Sequence, residues 1–327
     1  MIFQNIDFHN VADMTPAEGG WLMWRLPQDV RARTNEGLRD RVCHFNTGVE
    51  LRFRIRGEGV TLILRSEPEA EAQVAHIYYG SIQGGWENSA RVIGTTPTRV
   101  HIPAPKNIGD LRRISENAHL PFDPELVRLV LPYGTCVYMG CEGNIEPPRP
   151  GDTPARTYLA YGSSITHGSL ALGAPHTYPF RIAQMLGCDY LNLGFAGTAH
   201  AEEAVARHIV SRRDWDFASV ELGINMLDFS EEEFEARIDR FTAILGSDPR
   251  PVFATSIFHF NGDKQEKGQR FREIVRHYAG ERLIFTEGLA LLDNPAFIAQ
   301  DLVHPSLEGI EQIARRWSAV MADRLPR

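Results

Sequence analysis

The sequence is poor in cysteine, in positive charge and in long hydrophobic runs, and each shortage excludes a class of protein. Four cysteines in 327 residues are too few for a disulfide framework, and their spacing matches no zinc motif. The net charge of −8 argues against nucleic acid or an anionic membrane as the main partner. No stretch reaches the length of a membrane-spanning helix. The first residues lack the basic and apolar regions of a secretion signal, so we expect a cytoplasmic protein.

The rest of the composition is that of an ordinary globular protein with two domains. Apolar residues make up 43% and charged residues 23% of the chain. A proline-rich segment without periodicity runs from residue 146 to 154 and is typical of a stiff linker. We therefore predict an accessory domain at 1–148, a linker at 149–156 and a second domain at 157–327, and the sequence leaves open whether the chain forms a homo-oligomer.

The first domain has the pattern of a β protein. Residues 49–56 alternate apolar and charged side chains, and residues 60–65 follow after two glycines, which predicts a hairpin of two strands. Short strands are also predicted at 75–79, 90–93, 98–102, 125–131 and 136–139, after a helix within 27–41. Such short strands favour an antiparallel β-sandwich, for example a jelly roll.

Three arginines alternate with the apolar residues of the first predicted strand. Arg52, Arg54 and Arg56 would lie on the face of the sheet opposite to the core. A solvated sheet face is the simplest interpretation of this stripe, and a binding groove is the second.

The second domain alternates strands with helices. Strands are predicted at 158–161, 190–193, 218–222, 252–257 and 283–285, and helices at 177–186, 201–212, 231–245, 266–279 and after Pro305. This alternation predicts a mostly parallel sheet with helices on both faces. Ligands of such sheets bind at the carboxyl ends of the strands.

Candidate catalytic residues follow three of these strands. Ser164 comes directly after the strand at 158–161, and Asp301 lies three residues before His304, just ahead of the final helix. An aspartate at this spacing can orient a histidine that activates a serine hydroxyl. Gly197 and Asn225 follow the next two strands and could donate hydrogen bonds to an oxyanion.

Each of these residues also has a plain structural interpretation. Ser164 could be a helix N-cap, and Asp301 with His304 could form a surface turn before a helix capped by Ser306. Gly197 and Asn225 could serve only as turn residues.

Taken together, four sequence blocks resemble the SGNH/GDSL hydrolase family. They are Gly-Ser-Ser-Ile-Thr at 162–166, the glycine at 197, Gly-Ile-Asn at 223–225 and Asp-Leu-Val-His at 301–304. The resemblance covers residues 158–327 and implies a flavodoxin-like three-layer α/β/α hydrolase domain, here preceded by the β-sandwich. It also implies Ser164 as nucleophile, with His304 and Asp301 completing a triad, and the backbone of Ser164 and Gly197 with the Asn225 side chain as oxyanion hole. No metal or cofactor is implied.

The chain departs from the family pattern at two positions, where Ser163 and Met226 replace aspartates. The variant block behind a β domain is similar to a bacterial two-domain subgroup that includes carbohydrate esterases and an acyltransferase. Further candidates for substrate contact are His167, His200 and His259, which follow predicted strands, and Met226. A structural hydrogen bond is an equal interpretation of His167, and a solvated loop position is the simpler interpretation of His200 and His259.

The sequence thus leads to three hypotheses about function. The first is a serine esterase that hydrolyses a short-chain ester, with an acetylated sugar as the expected small-molecule substrate. The second is an acyltransferase that uses the same triad to acylate a small-molecule hydroxyl. The third is a carbohydrate-binding protein whose hydrolase domain is idle.

Overall fold

The computed structural model describes residues 1–67 and 73–326, which form two sheets in sequence order. Residues 68–72, inside the predicted accessory domain, and Arg327, at the end of the predicted hydrolase domain, lie outside the described residues. The first sheet is built from residues 1–146, here called the N-terminal part. The second is built from residues 157–326, here called the C-terminal part.

All pairings in the sheet of the N-terminal part are antiparallel, as predicted. Its strands are β1 (Ile2–Phe3), β2 (Ile6–His9), β3 (Asp13–Ala17), β4 (Gly20–Trp24), β5 (Glu50–Ser66), β6 (Gln73–Tyr79), β7 (Ile82–Gln83), β8 (Ala90–Ile93), β9 (Thr98–Pro103), β10 (Leu126–Val130) and β11 (Cys136–Glu146). Three helices accompany them: α1 (Gln28–Arg31), α2 (Glu36–Asp40) and α3 (Ile108–Asn117).

The hairpin predicted around Gly57 and Gly59 is wrong, because β5 is one strand of 17 residues. β11 pairs with β5 on both sides of these glycines, from Cys136 opposite Ser66 to Glu146 opposite Arg54. A register shift at residues 57–60 takes up the glycines, as a bulge does. The helix predicted within 27–41 is likewise two short helices, since Asn35 caps α2 by accepting a hydrogen bond from Leu38 N–H.

The sheet of the C-terminal part is parallel, with strand order β13–β12–β14–β15–β16. Its strands are β12 (Thr157–Gly162), β13 (Asp189–Gly194), β14 (Phe217–Glu221), β15 (Val252–Thr255) and β16 (Ile284–Thr286). The order 2-1-3-4-5 is that of flavodoxin-like folds, in which ligands bind where the strand order reverses, here between β12 and β14.

Helices cover both faces of this sheet, which gives the predicted three layers. They are α4 (Ser164–His167), α5 (Tyr178–Leu186), α6 (Glu203–Ser211), α7 (Glu231–Gly246), α8 (Gln265–Arg282), α9 (Gly288–Leu291) and α10 (Leu307–Arg324). Leu159 and Tyr161 face α6, α7 and α8, whereas Tyr158 and Ala160 face α5 and α10. None of the helices in the described ranges has both the length and the hydropathy needed to cross a bilayer.

Two of the three arginines of the β5 stripe are buried, and Arg52 lies between the two parts, which corrects the expectation of a solvated face. Arg52 binds both carboxylate oxygens of Asp189, at the start of β13, at 2.6 and 2.7 Å. It also bonds Glu50, whose carboxylate is shared with Arg128. The exposed fraction of Arg52 is 1%, so this network is sealed from solvent.

The predicted linker also packs against the N-terminal part. Asp152, which is buried, accepts a hydrogen bond from the second arginine of the stripe, Arg54, at 2.8 Å. Only the third arginine, Arg56, is exposed, where it pairs with Glu146. The two parts are therefore joined by buried ion pairs as well as by the chain itself.

Candidate active site

Ser164 lies at the tight turn between β12 and α4. Ser163 caps α4 by accepting a hydrogen bond from Ile165 N–H, and Ser164 is the first helical residue. The alternative in which Ser164 is the helix cap is therefore wrong. The N–H of a first helical residue has no partner within the helix, so it remains available to a ligand.

A buried glutamate supports this turn from below. Glu221, the last residue of β14, is 2% exposed, and its Oε2 accepts hydrogen bonds from Ser163 N–H at 2.7 Å and Thr166 Oγ1 at 3.3 Å. Burial raises the pKa of Glu221 above its usual value, and these hydrogen bonds, which act to lower the pKa, only partly offset that effect. Sequence reasoning missed this residue. Its signal was a lone acidic side chain at the end of an apolar strand.

His304 is presented by a narrow loop ahead of α10. His304 C=O accepts a hydrogen bond from Ala299 N–H at 2.8 Å, and Ser306 caps α10 by accepting from Gly309 N–H. Asp301 Oδ1 accepts the N–H groups of Val303 and His304 at 3.0 and 2.9 Å. The loop therefore fixes the aspartate and the histidine relative to each other.

Asp301, His304 and Ser164 form one continuous series of hydrogen bonds. Asp301 Oδ2 lies 2.7 Å from His304 Nδ1, and His304 Nε2 lies 2.8 Å from Ser164 Oγ. Burial acts to raise the pKa of Asp301, but the N–H groups of His304 and Val303 outweigh it and leave the pKa below its usual value. A carboxylate can only accept, so Nδ1 carries the proton and Nε2 accepts the serine hydroxyl.

The predicted oxyanion donors face the same place. Gly197 adopts φ +70°, and a Cβ built on it would meet nothing within 4 Å, so its backbone borders open space. Among residues 1–67 and 73–326, no oxygen accepts its N–H. Asn225 Oδ1 accepts a hydrogen bond from Ala199 N–H at 3.3 Å, which leaves the Nδ2 group of Asn225 available as a hydrogen-bond donor.

A cavity of about 510 Å³ connects these groups. Ser164, His304, Gly197 and Asn225 all line it, together with Ser169, Ala196, Ile224, Leu227, Asp228, Phe260, Gly262, Asp263, Lys264 and Val303. Much of the cavity wall is apolar, because it is formed by the side chains of Ala196, Ile224, Leu227, Phe260 and Val303. Lys264 forms an ion pair with the exposed Asp228, so these two charges of the cavity wall neutralise each other.

The four predicted substrate contacts do not line this cavity. His167 and Met226 are both 0% exposed, so the expectation of substrate contact is wrong for them. Met226 points into the core because the turn at Ile224–Met226 follows Gly223 at φ +121°, and its neighbour Leu227 lines the cavity instead.

The other two histidines are half-buried beside the cavity rather than in its wall. His259 bonds Asn261 Oδ1 through Nε2 at 2.9 Å, and the next residue, Phe260, takes the position in the wall. His200 packs edge-on against Phe229, and burial lowers its pKa. A strand-exit position therefore did not suffice to identify substrate contacts.

Comparison with known proteins gives matches only at the level of structure. No family model matches this sequence, and no curated protein matches it.

Solved structures with the same fold span nearly the whole chain. A salicylyl-acyltransferase, SsfX3, from a tetracycline biosynthetic pathway superposes with a TM-score of 0.76 at 17% identity, over 99% of this chain and 96% of the other. A GDSL-like lipase from Bacteroides ovatus superposes with a TM-score of 0.71 at 15% identity, over 98% and 96%. A family two carbohydrate esterase from Clostridium thermocellum gives 0.59 at 12%, over 85% and 93%.

The first two structures cover 98–99% of this chain and therefore both of its sheets. The resemblance carried by the four sequence blocks is thus confirmed at the level of the fold. The chain has the fold of the SGNH/GDSL hydrolases, with a parallel α/β/α part preceded by a large antiparallel sheet.

Proposed function

We propose that this chain is a serine ester hydrolase with Ser164 as nucleophile and His304 and Asp301 as its base and orienting acid. The observation that carries the proposal is the 2.8 Å hydrogen bond between Ser164 Oγ and His304 Nε2, which joins residues 140 positions apart. A hydroxyl becomes a useful nucleophile at neutral pH when a neighbouring base accepts its proton.

The reaction has two halves. Ser164 Oγ bonds to the ester carbonyl carbon while its proton passes to His304 Nε2, and the carbonyl oxygen becomes an oxyanion near Gly197 and Asn225. The bond from carbon to the leaving alcohol then breaks, and His304 gives its proton to that alcohol. Water attacks the acyl-enzyme in the same way, giving its proton to His304, which returns it to Ser164 as the acid leaves.

Exposure of the site favours water as the second reactant. The side chains of Asp301 and His304 are 41% and 25% exposed, so solvent reaches the base beside the acyl-enzyme. No lid covers them among the described residues. We therefore place hydrolysis ahead of transfer.

The cavity wall indicates the kind of ester. The volume of the cavity lies within the usual range of small-molecule sites and exceeds the volume that an acetyl group alone would fill. Lys264 is already paired, and Asp263 adds a negative charge. These features support a neutral ester whose alcohol part, for example a sugar, also occupies the cavity, with a short acyl group such as acetyl.

Turnover of p-nitrophenyl esters and acetylated sugars by wild-type and Ser164→Ala protein tests the proposal. We expect Ser164→Ala to lose several orders of magnitude in kcat without loss of fold. Ser211→Ala, which changes an exposed serine on α6, is the matched control and should behave as wild type. Near-normal turnover in folded Ser164→Ala would refute the proposal.

Acyl transfer is the second candidate, because a salicylyl-acyltransferase shares the fold over 99% of this chain. Both reactions pass through the same acyl-enzyme, so the triad does not separate them. Product analysis with an activated acyl donor, with and without small alcohols or sugars, does. Acylated acceptor as the main product would favour transfer.

The third hypothesis, a carbohydrate-binding protein with an idle hydrolase part, is disfavoured by the assembled hydrogen bonds from Asp301 to Ser164. It predicts sugar binding without any turnover. Isothermal titration with the same sugars used as acetylated substrates would reveal such binding.

A further inference from the structure

The loop that carries Gly197 is held from outside the C-terminal part. This loop, residues 195–202, joins β13 to α6. Carbonyl groups on both sides of Gly197 accept hydrogen bonds from side chains of the N-terminal part: Gly194 from Arg25 and Thr198 from Asn35. A third contact reaches Ala196 through a histidine. The three contacts therefore lie on both sides of Gly197 in the chain, at residues 194, 196 and 198.

Arg25 is a buried cation without a carboxylate partner among the described residues. Its exposed fraction is 0%, and its guanidinium donates to the carbonyls of Gly194 at 2.8 Å, Asn192 at 3.1 Å and Val42 at 2.9 Å. Burial lowers its pKa to about 10, which still leaves it charged at neutral pH. A buried charge is tolerated only where dipoles stabilise it, so Arg25 and the carbonyls at the end of β13 hold each other in place.

His167 connects the same loop to Tyr133 of the N-terminal part. Burial, aided by the charge of Arg25, lowers the pKa of His167 well below its usual value, so the ring is neutral and has one N–H. Tyr133 C=O, 3.2 Å from Nε2, can only accept, and Ala196 N–H, 3.4 Å from Nδ1, can only donate. These partners place the proton on Nε2.

Asn35, which is half-buried, makes the contact to Thr198 in the same loop. Its Nδ2 donates to Thr198 C=O at 2.9 Å and to Glu202, while its Oδ1 caps α2 by accepting Leu38 N–H at 3.0 Å. One side chain therefore fixes both the helix of the N-terminal part and the residue that follows Gly197.

We propose that Arg25, Asn35 and, through His167, Tyr133 are positioning residues that aim the Gly197 N–H at the oxyanion. This inference rests on the proposed function, in which Gly197 is an oxyanion donor. It gives the N-terminal part a role in catalysis: the hydrolase fold alone does not complete the loop. Glycine has more conformational freedom than other residues, so contacts made by its neighbours help to fix the direction of its N–H.

Three substitutions break these contacts, one side chain at a time. Asn35→Asp keeps the helix cap but replaces the donor to Thr198 and Glu202 by an oxygen, which also places a carboxylate beside that of Glu202. His167→Phe keeps a ring of similar shape without nitrogen, and His167→Asn returns an acceptor close to the position of Nδ1. Arg25→Lys keeps the charge but cannot bond three carbonyls in the guanidinium geometry.

The first measurement is hydrogen exchange, which requires no activity. We expect the amides of residues 195–199 to exchange faster in Asn35→Asp and His167→Phe than in wild type, with partial protection restored in His167→Asn. Arg56→Gln, which breaks an exposed ion pair of the N-terminal part far from this loop, should exchange as wild type there. Unchanged exchange in folded Asn35→Asp and His167→Phe would overturn the proposal, whatever the enzyme does.

The second measurement is kinetic. A misplaced donor weakens only the transition state, so kcat should fall roughly 10- to 100-fold while KM changes by less than about 3-fold. A trifluoromethyl ketone, which forms an oxyanion on Ser164, should lose affinity by the same factor, whereas the methyl ketone should not. Full kcat in these variants would overturn the inference alone, while wild-type turnover that survives Ser164→Ala would instead overturn the proposed function. If Arg25→Lys does not fold, Asn35→Asp at its half-buried position still decides.

Discussion

Replacing Arg52 by methionine removes the cation that binds Asp189 from the ion network between the two parts. Asp189 would then lack a directly bonded cation among the described residues, because Arg128 binds Glu50 and burial lowers the pKa of His9, whose Nε2 lies 3.6 Å away. Burial acts to raise the pKa of Asp189, and in the wild type the charge of Arg52 outweighs it. Removing one partner of a buried pair costs about 3–5 kcal/mol, because the remaining charge is left uncompensated in the interior.

The expected loss has a pH signature. Without Arg52 the carboxyl of Asp189 has a raised pKa, so the folded variant binds a proton more readily than the unfolded chain. The free energy of unfolding of the variant then falls as the pH rises. The difference in free energy of unfolding between wild type and Arg52→Met should therefore be smaller at pH 5 than at pH 7. The double variant Arg52→Met, Asp189→Asn should lose less than Arg52→Met alone at pH 7, because no unpaired charge remains.

Urea denaturation followed by tryptophan fluorescence measures these differences in the free energy of unfolding. Arg99→Met removes an arginine of the same sheet from an exposed pair with Glu142 and is the matched control. A loss of stability in Arg52→Met no larger than in this control, or one independent of pH, would show that Arg52 does not stabilise the charge of Asp189.

Four other predictions follow from the structure. Asn225→Ala should lower kcat about 10²- to 10³-fold at unchanged stability, and an unchanged kcat would remove Asn225 from the oxyanion hole. Asp301→Asn should lower kcat by up to about 10⁴-fold in steady-state assays, because the histidine loses its oriented tautomer; a loss below tenfold would contradict this role. Burial alone would raise the pKa of Glu50, but Arg128 and Arg52 outweigh it and hold the pKa at about 2. The ionised carboxylate therefore contributes about 3 kcal/mol to the free energy of unfolding above pH 4.5, and this contribution should be lost as the pH falls towards 2. Measuring the free energy of unfolding against pH in acid checks this, and a value independent of pH would contradict it. Burial raises the pKa of Cys43 to about 11, so iodoacetamide followed by mass spectrometry should modify it only on unfolding.

Much of the C-terminal part could be predicted from the sequence, because its strands are short apolar runs with clear ends. The strand predicted at 158–161 is β12, Thr157–Gly162, and the helix predicted at 231–245 is α7, Glu231–Gly246. Ser164 and His304 each follow a strand of the predicted parallel sheet, which predicts that they lie at the same sheet edge, and their side chains are 2.8 Å apart in the structure.

The N-terminal part was less predictable, because its side chains take their environment from distant residues. Alternating arginines on β5 have the pattern of a solvated face, yet Arg52 and Arg54 are buried by partners about 100 residues or more along the chain. The glycines at 57 and 59 resemble a hairpin turn until β11 pairs along both sides of them. Local pattern does not contain these pairings.

The supporting residues of the candidate site were missed for the same reason. His167 follows Ser164 closely in sequence, which is as consistent with a substrate contact as with a structural hydrogen bond, and only the fold places Tyr133 and Arg25 of the N-terminal part next to it. Glu221 is an ordinary strand residue by pattern, and only the fold places it beneath Ser163.

His304 is proposed to activate the hydroxyl of Ser164, and labelling with a fluorophosphonate, followed by mapping of the modified peptide by mass spectrometry, is the most direct test. We expect one adduct, on Ser164, that is absent in Ser164→Ala and forms far more slowly in His304→Ala. An adduct on another residue, or equally fast labelling of Ser164 without His304, would contradict it.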